Sequence, residues 1–235
     1  NVLKDLRRYD EALVSYAQAI ALKPDCAETY NNRGTALDGL KRFNEAVAAY
    51  DEAILLKPDF AEAHNYRGNV LTKLWRYDEA LASYARAIAL KRDYAEAYLN
   101  QGVALERLRR YDEALAAYDE AISLRPDYAD VHYSKAFIMM RLGDYQEGWP
   151  LYEWRWQTDQ KDTVRNFKQP LWLGEQSISG KTILLHAEQG LGDTLQMVRY
   201  VPRVAALGAK VILEVPAALV PLLNTLKGEA TIVTK

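Results

Sequence analysis

Apolar and small residues return along this chain on a fixed beat. Aromatics stand 34 residues apart at Tyr9, Phe43, Tyr77, Tyr111 and Tyr145, and again at Tyr16, Tyr50, Tyr84, Tyr118 and Tyr152. Small residues keep the same period at Ala12, Ala46, Ala80, Ala114 and Gly148, at Ala19, Ala53, Ala87 and Ala121, and at Gly34, Gly68, Gly102 and Ala136. Within each period the apolar positions recur at helical spacing, which predicts two amphipathic helices per unit. Helix A is expected near 27–40, 61–74, 95–108 and 129–142, and helix B near 9–22, 43–56, 77–90, 111–124 and 145–157. A unit of this size cannot bury its apolar face alone, so the units must stack. The expected organisation is a mainly α solenoid over 1–157. It has a partial repeat at 1–26 and full repeats at 27–60, 61–94, 95–128 and 129–162, the last with a modified second helix.

The junctions carry their own signals. Asp25 precedes Glu28 by three residues, and Asp59 with Glu62, Asp93 with Glu96 and Asp127 with Asp130 repeat the spacing. That is a capping-box pattern, so each Asp is expected to cap a helix A. Pro24, Pro58 and Pro126 stop the preceding helix, while Arg92 takes that place in the third junction. The glycines at 34, 68 and 102 are expected to let helix A approach helix B, with the alanines of helix B facing the contact. The large aromatics are expected to fill the spaces between pairs. Replacing Ala80 or Ala114 with Leu should overpack the contact by about 1–3 kcal/mol, read as a lower thermal midpoint.

Residues 1–157 closely resemble the tetratricopeptide-repeat family, matching its aromatic, Gly, Tyr, Ala, aromatic, Ala and Pro positions. The resemblance implies a right-handed superhelix with helix A lining a concave face, and a protein or extended peptide as the partner held there. The polar helix A residues then become groove candidates: Asn31, Asn32, Asn65, Asn69 and Asn100, with Lys73 and Arg107, alongside Glu28, Glu62, Glu96, Thr35, Asp38, Thr72 and Glu106. A carboxamide both donates and accepts, so it can pair with any peptide backbone. Asn32 and Asn100 stand where O-linked N-acetylglucosamine transferases carry an asparagine ladder; Tyr66 and Ser134 break it. Solvated helix polarity is the alternative reading of these positions. Arg33 and Arg67 are expected to pair with acids across repeats, and His64 and His132 to be rings at the core edge.

The pattern changes after residue 145. Gly148, Trp149 and Pro150 enter the first turns of a helix B, and Arg155 replaces a small residue, as in a terminal repeat. Trp149, Trp154, Trp156 and Trp172 cluster there, and packing is favoured over sugar binding for them. Residues 158–180 lack periodicity and read as a connector. From 181 to 235 the order is buried strand (182–187), glycine turn (189–193), helix (194–207, kinked by Pro202), strand (210–215), helix (217–226) and strand (231–234). That alternation implies a partial α/β, Rossmann-like unit with a parallel sheet.

The stretch LLHAEQGLGDTLQMVRYVP resembles the start of two-lobed (GT-B) glycosyltransferases, the heptosyltransferases above all, through Leu191, Gly192 and Asp193. The resemblance implies that Asp193 is a general base acting on an acceptor hydroxyl. His186 and Glu188 are weaker catalytic candidates on the same rim, and Gly190 and Gly192 form the ligand loop. Helix capping by Asp193 is the plainer alternative. In that family the nucleotide-sugar donor sits on a second lobe. No cofactor and no turnover are therefore expected of residues 181–235, and a donor is expected only for a longer parent. A pure interaction adaptor with a non-catalytic α/β unit is the competing reading.

Composition narrows the partners. Charged residues make up 26% of the 235 and the net charge is −2, which gives no field to draw nucleic acid. No apolar run reaches the length of a membrane span. One cysteine, Cys26, rules out a disulfide framework and points to a reducing, cytoplasmic setting. No metal site is indicated.

Overall fold

The computed structural model describes residues 8–158, 165, 167–188, 190–224 and 229–234. The cut helix A expected before Tyr9 lies outside the described residues. So do Gln189 of the glycine turn, residues 159–164 and 166 of the connector, and residues 225–226 of the expected last helix. The chain divides into two compact units, Asn1–Arg165 and Asn166–Lys235.

The first unit is a run of helix pairs. Helix B of the first repeat is α1 (Tyr9–Leu22); then come α2 (Ala27–Gly39), α3 (Phe43–Leu56), α4 (Ala61–Lys73), α5 (Tyr77–Leu90), α6 (Ala95–Arg107), α7 (Tyr111–Leu124), α8 (Ala129–Leu142) and α9 (Tyr145–Tyr152). Each helix packs on the next. The A helices α2, α4, α6 and α8 also touch one another in series, while successive B helices stand further apart. The A helices therefore form the inner layer of the stack.

The capping boxes are not formed. The A helices begin one residue later than that pattern requires, with Cys26, Phe60, Tyr94 and Tyr128 at the cap position and no side-chain cap. In the last three of these helices the cap position is given to a ring instead of a carboxylate. A cation lies over each ring: Lys57 over Phe60 at 4.8 Å, Lys91 over Tyr94 at 4.7 Å, and Arg125 over Tyr128 at 3.4 Å. Glu28, Glu62, Glu96 and Asp130 still sit in the first turns, where the helix dipole favours them. Among the described helices a side chain caps α9: Asp144 accepts from the Glu147 backbone N–H at 3.2 Å.

Each A–B turn closes with a Schellman-type bond. The N–H of Arg42, Arg76, Arg110 and Asp144 donates to the carbonyl of Leu37, Leu71, Leu105 and Met139, each at 2.9 Å. That geometry needs a left-handed residue just before the donor. Lys41 (φ 59°), Trp75 (φ 63°), Arg109 (φ 59°) and Gly143 (φ 87°) supply it. Left-handed backbone costs an L-residue about 1–2 kcal/mol, partly offset by glycine's larger unfolded-state entropy of about 0.5–1 kcal/mol. Trp75→Gly should therefore stabilise the array by about 0.5–1 kcal/mol, seen as a higher denaturant midpoint. A lower midpoint would show that the exposed indole contributes more than its strain.

The core divides the packing expectation between the two aromatic rows. Tyr50, Tyr84 and Tyr118 are 1%, 1% and 0% exposed, and each ring lies on the glycine of its own helix pair. A Cβ on Gly34, Gly68 or Gly102 would stand 2.7, 2.5 or 2.3 Å from that ring. The glycines thus make room for a tyrosine within the pair, while the gap between pairs is filled by the other aromatic row, as where the Tyr9 ring lies against Gly39 of the next pair. In the last repeat Ala136 occupies the glycine position, and Tyr152 is only half-buried. Arg155 stands where Ala53, Ala87 and Ala121 are fully enclosed. A guanidinium does not fit that contact, and the expected helix over 145–157 gives way to a 3-10 turn over Glu153–Gln157.

The second unit carries β1 (Thr182–His186), α10 (Leu191–Val198), α11 (Val201–Ala206), β2 (Lys210–Val215), α12 (Val220–Leu223, preceded by a 3-10 turn) and β3 (Thr231–Thr234). The strands are parallel in the order β1-β2-β3, with Leu184 opposite Ile212 and Leu213 opposite Ile232. Val198, Val201, Val211, Leu213 and Val215 form the core. Three expectations are corrected. β1 is half-exposed instead of buried. The first helix is broken at Arg199–Tyr200, because Pro202 lacks an N–H and fits only the first turn of α11. Leu191, Gly192 and Asp193 belong to the first turn of α10, not to a loop.

Candidate functional site

The inner layer holds a concavity of 440 Å³, lined by Asn65, Tyr66 and Asn69 of α4, Lys91 and Tyr94 before α6, Glu96 and Asn100 of α6, and Tyr128 before α8. Three of the expected asparagines meet here. Asn65 is 2% exposed and doubly held: its Nδ2 donates to Tyr94 Oη at 3.3 Å, and its Oδ1 accepts from Asn100 Nδ2 at 3.0 Å. Asn69 Oδ1 accepts from Tyr84 Oη at 2.9 Å. The asparagines pair from Asn65 to Asn100, across the two positions, and not along the Asn32 and Asn100 row. Asn65 is the buried member of the pair; Asn69 and Asn100 line the concavity and are only partly buried.

Asn31 is the counterpart of Asn65 one repeat earlier, and it is 8% exposed. Its Oδ1 has no hydrogen-bond partner among the described residues. The sequence explains the difference, since Phe60 stands where Tyr94 supplies a hydroxyl and Tyr66 where Asn100 supplies an amide. Asn32 is half-buried beside it. Lys73 is committed to Asp38, with Nζ 2.7 and 2.8 Å from the two carboxylate oxygens. Arg107 is exposed at the end of α6. Neither lines the concavity.

Several site residues escape a reading confined to helix A. Lys91, Tyr94 and Tyr128 come from the junctions. Their signal was the 34-residue spacing of Phe60, Tyr94 and Tyr128, each with a cation three residues before it. Burial pushes the Tyr94 phenol well above its ordinary value, so it stays a neutral hydrogen-bonding group.

The cross-repeat pairing expected of Arg67 is found, and Lys135 makes one of the same spacing. Arg67 donates from Nε to Asp51 Oδ1 at 2.6 Å and from Nη1 to Ser83 Oγ at 2.7 Å, and Lys135 pairs with Asp119. Arg33 makes no ion pair among the described residues; its cross-repeat position is Ala17. His64 and His132 place Nε2 at 3.1 and 2.7 Å from the Pro58 and Pro126 carbonyls, tying each ring to the preceding junction. Burial holds the His64 pKa below its ordinary value. Trp154 stacks on His132 at 4.1 Å, Trp156 Nε1 donates to Glu153 at 3.2 Å, and Trp172 Nε1 donates to the Gln176 carbonyl at 2.9 Å.

In the second unit, His186 ends β1, Glu188 follows it, and Gly190 caps α10, with Gly192 and Asp193 in its first turn. Asp193 is exposed, and a Cβ on Gly190 would lie 3.7 Å from its Oδ2. The His186 ring lies 5.1 Å from that of Phe167. No hydrogen bond joins Asp193 to His186. Among the described residues no group of three His, Cys, Asp or Glu is placed to hold a metal, and no helix is long and apolar enough to cross a membrane.

Two models of the tetratricopeptide repeat match the chain, one over residues 27–60 and 95–128 and the other over 1–38 and 68–108. Among solved structures, MamA superposes with a TM-score of 0.61 at 22% identity, covering 68% of this chain and 94% of its own. MamA 41-end from Desulfovibrio magneticus RS-1 gives 0.59 at 25% identity, covering 66% and 92%. YrrB, described as a tetratricopeptide-repeat protein with an unusual peptide-binding site, gives 0.56 at 22%, covering 68% and 82%. No curated protein sequence matches the chain. The stacked pairs, their glycine–tyrosine seats and these matches define a tetratricopeptide-repeat protein.

Proposed function

We propose that the repeat array is an interaction scaffold that holds an extended segment of another polypeptide along its inner layer. The observation that carries this is the concavity at Asn65, Asn69 and Asn100, where the Asn69 amide nitrogen and the Asn100 carbonyl oxygen supply one donor and one acceptor to a peptide backbone. The fold likeness to YrrB, itself a peptide-binding protein, supports the reading. Dodecapeptides selected from a random phage library on the full chain should lose at least tenfold in affinity when Asn69 and Asn100 are both changed to Ala. Unchanged affinity across the selected set would remove the groove from the function.

A second reading adds chemistry. The first turn of α10 presents Asp193 beyond the C-terminal end of a parallel strand, the edge where open α/β sheets bind ligands. On this reading the array delivers an acceptor to a glycosyltransferase-like domain, Asp193 is its general base, and a nucleotide sugar is the donor. Tethering would raise the local acceptor concentration. In a longer natural chain that transfers sugar, Asp193→Ala should abolish transfer while the helical circular dichroism stays unchanged; retained transfer eliminates Asp193. The single unpaired cysteine favours a reducing, cytoplasmic setting.

A further inference from the structure

The groove changes character halfway along. Two helix A positions, four residues apart, point into the inner layer, as Asn65 and Asn69 show. Followed through the repeats, the first reads Asn31, Asn65, Leu99, Tyr133 and the second Thr35, Asn69, Val103, Phe137. Both rows switch from polar to apolar at the same step, between α4 and α6. The rim does not switch: Glu28, Glu62, Glu96 and Asp130 keep an acid in every repeat. A change confined to the floor is selective for what lies on the floor.

At the far end the apolar floor widens into a cluster. Tyr133 and Phe137 rings lie 4.8 Å apart, Tyr152 is 5.5 Å from Tyr133 and 5.9 Å from Phe137, and Trp149 is 5.8 Å from Tyr152. Tyr152 reaches this cluster because Ala136 has closed the seat that Gly34, Gly68 and Gly102 leave open for its counterparts. Phe137 and Trp149 are nevertheless 42% and 49% exposed. Adjacent exposed aromatics bordered by polar residues are the anatomy of a binding hot spot.

We infer that the partner segment is bipartite, with one aromatic or large aliphatic anchor seated on Phe137 and Tyr133 and a backbone stretch seated on Asn69 and Asn100. This deepens the peptide-binding reading and rests on it. The floor is one helical turn wide, with Cβ atoms about 5–6 Å apart, which admits a single extended chain. Two steps from α4 to α8 cover about 16–20 Å at ordinary helix spacing, and an extended chain needs about five or six residues to span that. Leu99 and Val103, partly buried, hold the intervening positions of the same two rows between the asparagine pocket and the aromatic cluster.

The test uses random dodecapeptides displayed on phage and selected on the full chain, with the enriched sequences synthesised. The expected sequences carry Phe, Tyr, Trp, Leu or Met at one fixed position. Changing that residue to Ser should weaken binding at least tenfold on the native chain and not at all on Phe137→Ala. Asn69→Ala should weaken the same peptide whether or not the anchor is present. Peptides that respond to Asn69→Ala but share no apolar position overturn the bipartite inference and leave the peptide-binding reading standing. Peptides indifferent to Asn69→Ala and Asn100→Ala overturn both. Self-association of the chain abolished by Phe137→Ala would assign the patch to a second copy and overturn the inference.

Discussion

Gly102→Ala is expected to destabilise the array by about 2 kcal/mol, and so to lower its thermal midpoint by about 4–8 °C for a chain of this size. The added methyl would stand 2.3 Å from Cε1 and 2.6 Å from Cδ1 of Tyr118, well inside contact distance. Tyr118 is fully enclosed and its hydroxyl donates to Glu106 at 3.4 Å, so the ring has no free direction in which to move. Helix propensity opposes the loss, since Ala is better than Gly in a helix interior by about 1 kcal/mol. That opposition supplies the control. On a Tyr118→Ala background the clash is gone, and the same substitution should stabilise by up to about 1 kcal/mol. A destabilising Gly102→Ala on both backgrounds would show that the glycine answers to something other than the ring. The last repeat displays the natural outcome, with Ala136 in place and Tyr152 turned to the surface cluster.

The helix positions were legible because each was written several times. Thirty-four-residue registers of Tyr, Ala and Gly fix which face of each helix is buried, and β2 and β3 fall where their apolar runs stand. The capping boxes misled because their spacing is also what results when an aromatic packed at the junction follows the acid. In Asp59-Phe60, Asp93-Tyr94 and Asp127-Tyr128 the ring is buried at Tyr94 and partly buried at Phe60 and Tyr128, and the helix starts after it. The site was half legible. Asparagines on helix A were visible, but which of them are spent inside the protein depends on hydroxyls 29 residues away, such as Tyr94 for Asn65 and its missing counterpart at Phe60 for Asn31. The break of α10 from α11 was readable at Pro202, whereas its early start at Leu191 was hidden by two glycines that suggest a turn.

Alkaline pH should unfold this array cooperatively, through the three tyrosines that its glycines accommodate. Burial pushes the phenols of Tyr50, Tyr84 and Tyr118 far above their ordinary value near 10, and for Tyr118 the neighbouring Glu106 carboxylate adds to the shift. Below about pH 10 both folded and unfolded chains hold these protons, and stability does not depend on them. Above that value the unfolded chain releases them while the folded chain retains them, so the native state binds more protons and stability falls as pH rises. Each group contributes a slope of about 1.4 kcal/mol per pH unit, and three together about 4 kcal/mol per unit. Two units of rise would then remove about 8 kcal/mol, comparable to the whole stability of an ordinary domain. The expected record is tyrosinate absorbance in two phases, an early one from exposed tyrosines and a late one coincident with loss of helical circular dichroism. Tyr84→Phe forfeits the hydrogen bond to Asn69 but should remove about a third of the alkaline slope that these three tyrosines supply. A single tyrosinate phase near pH 10 with the helices intact would show that the rings are not sealed by the helix pairs as Gly34, Gly68 and Gly102 imply.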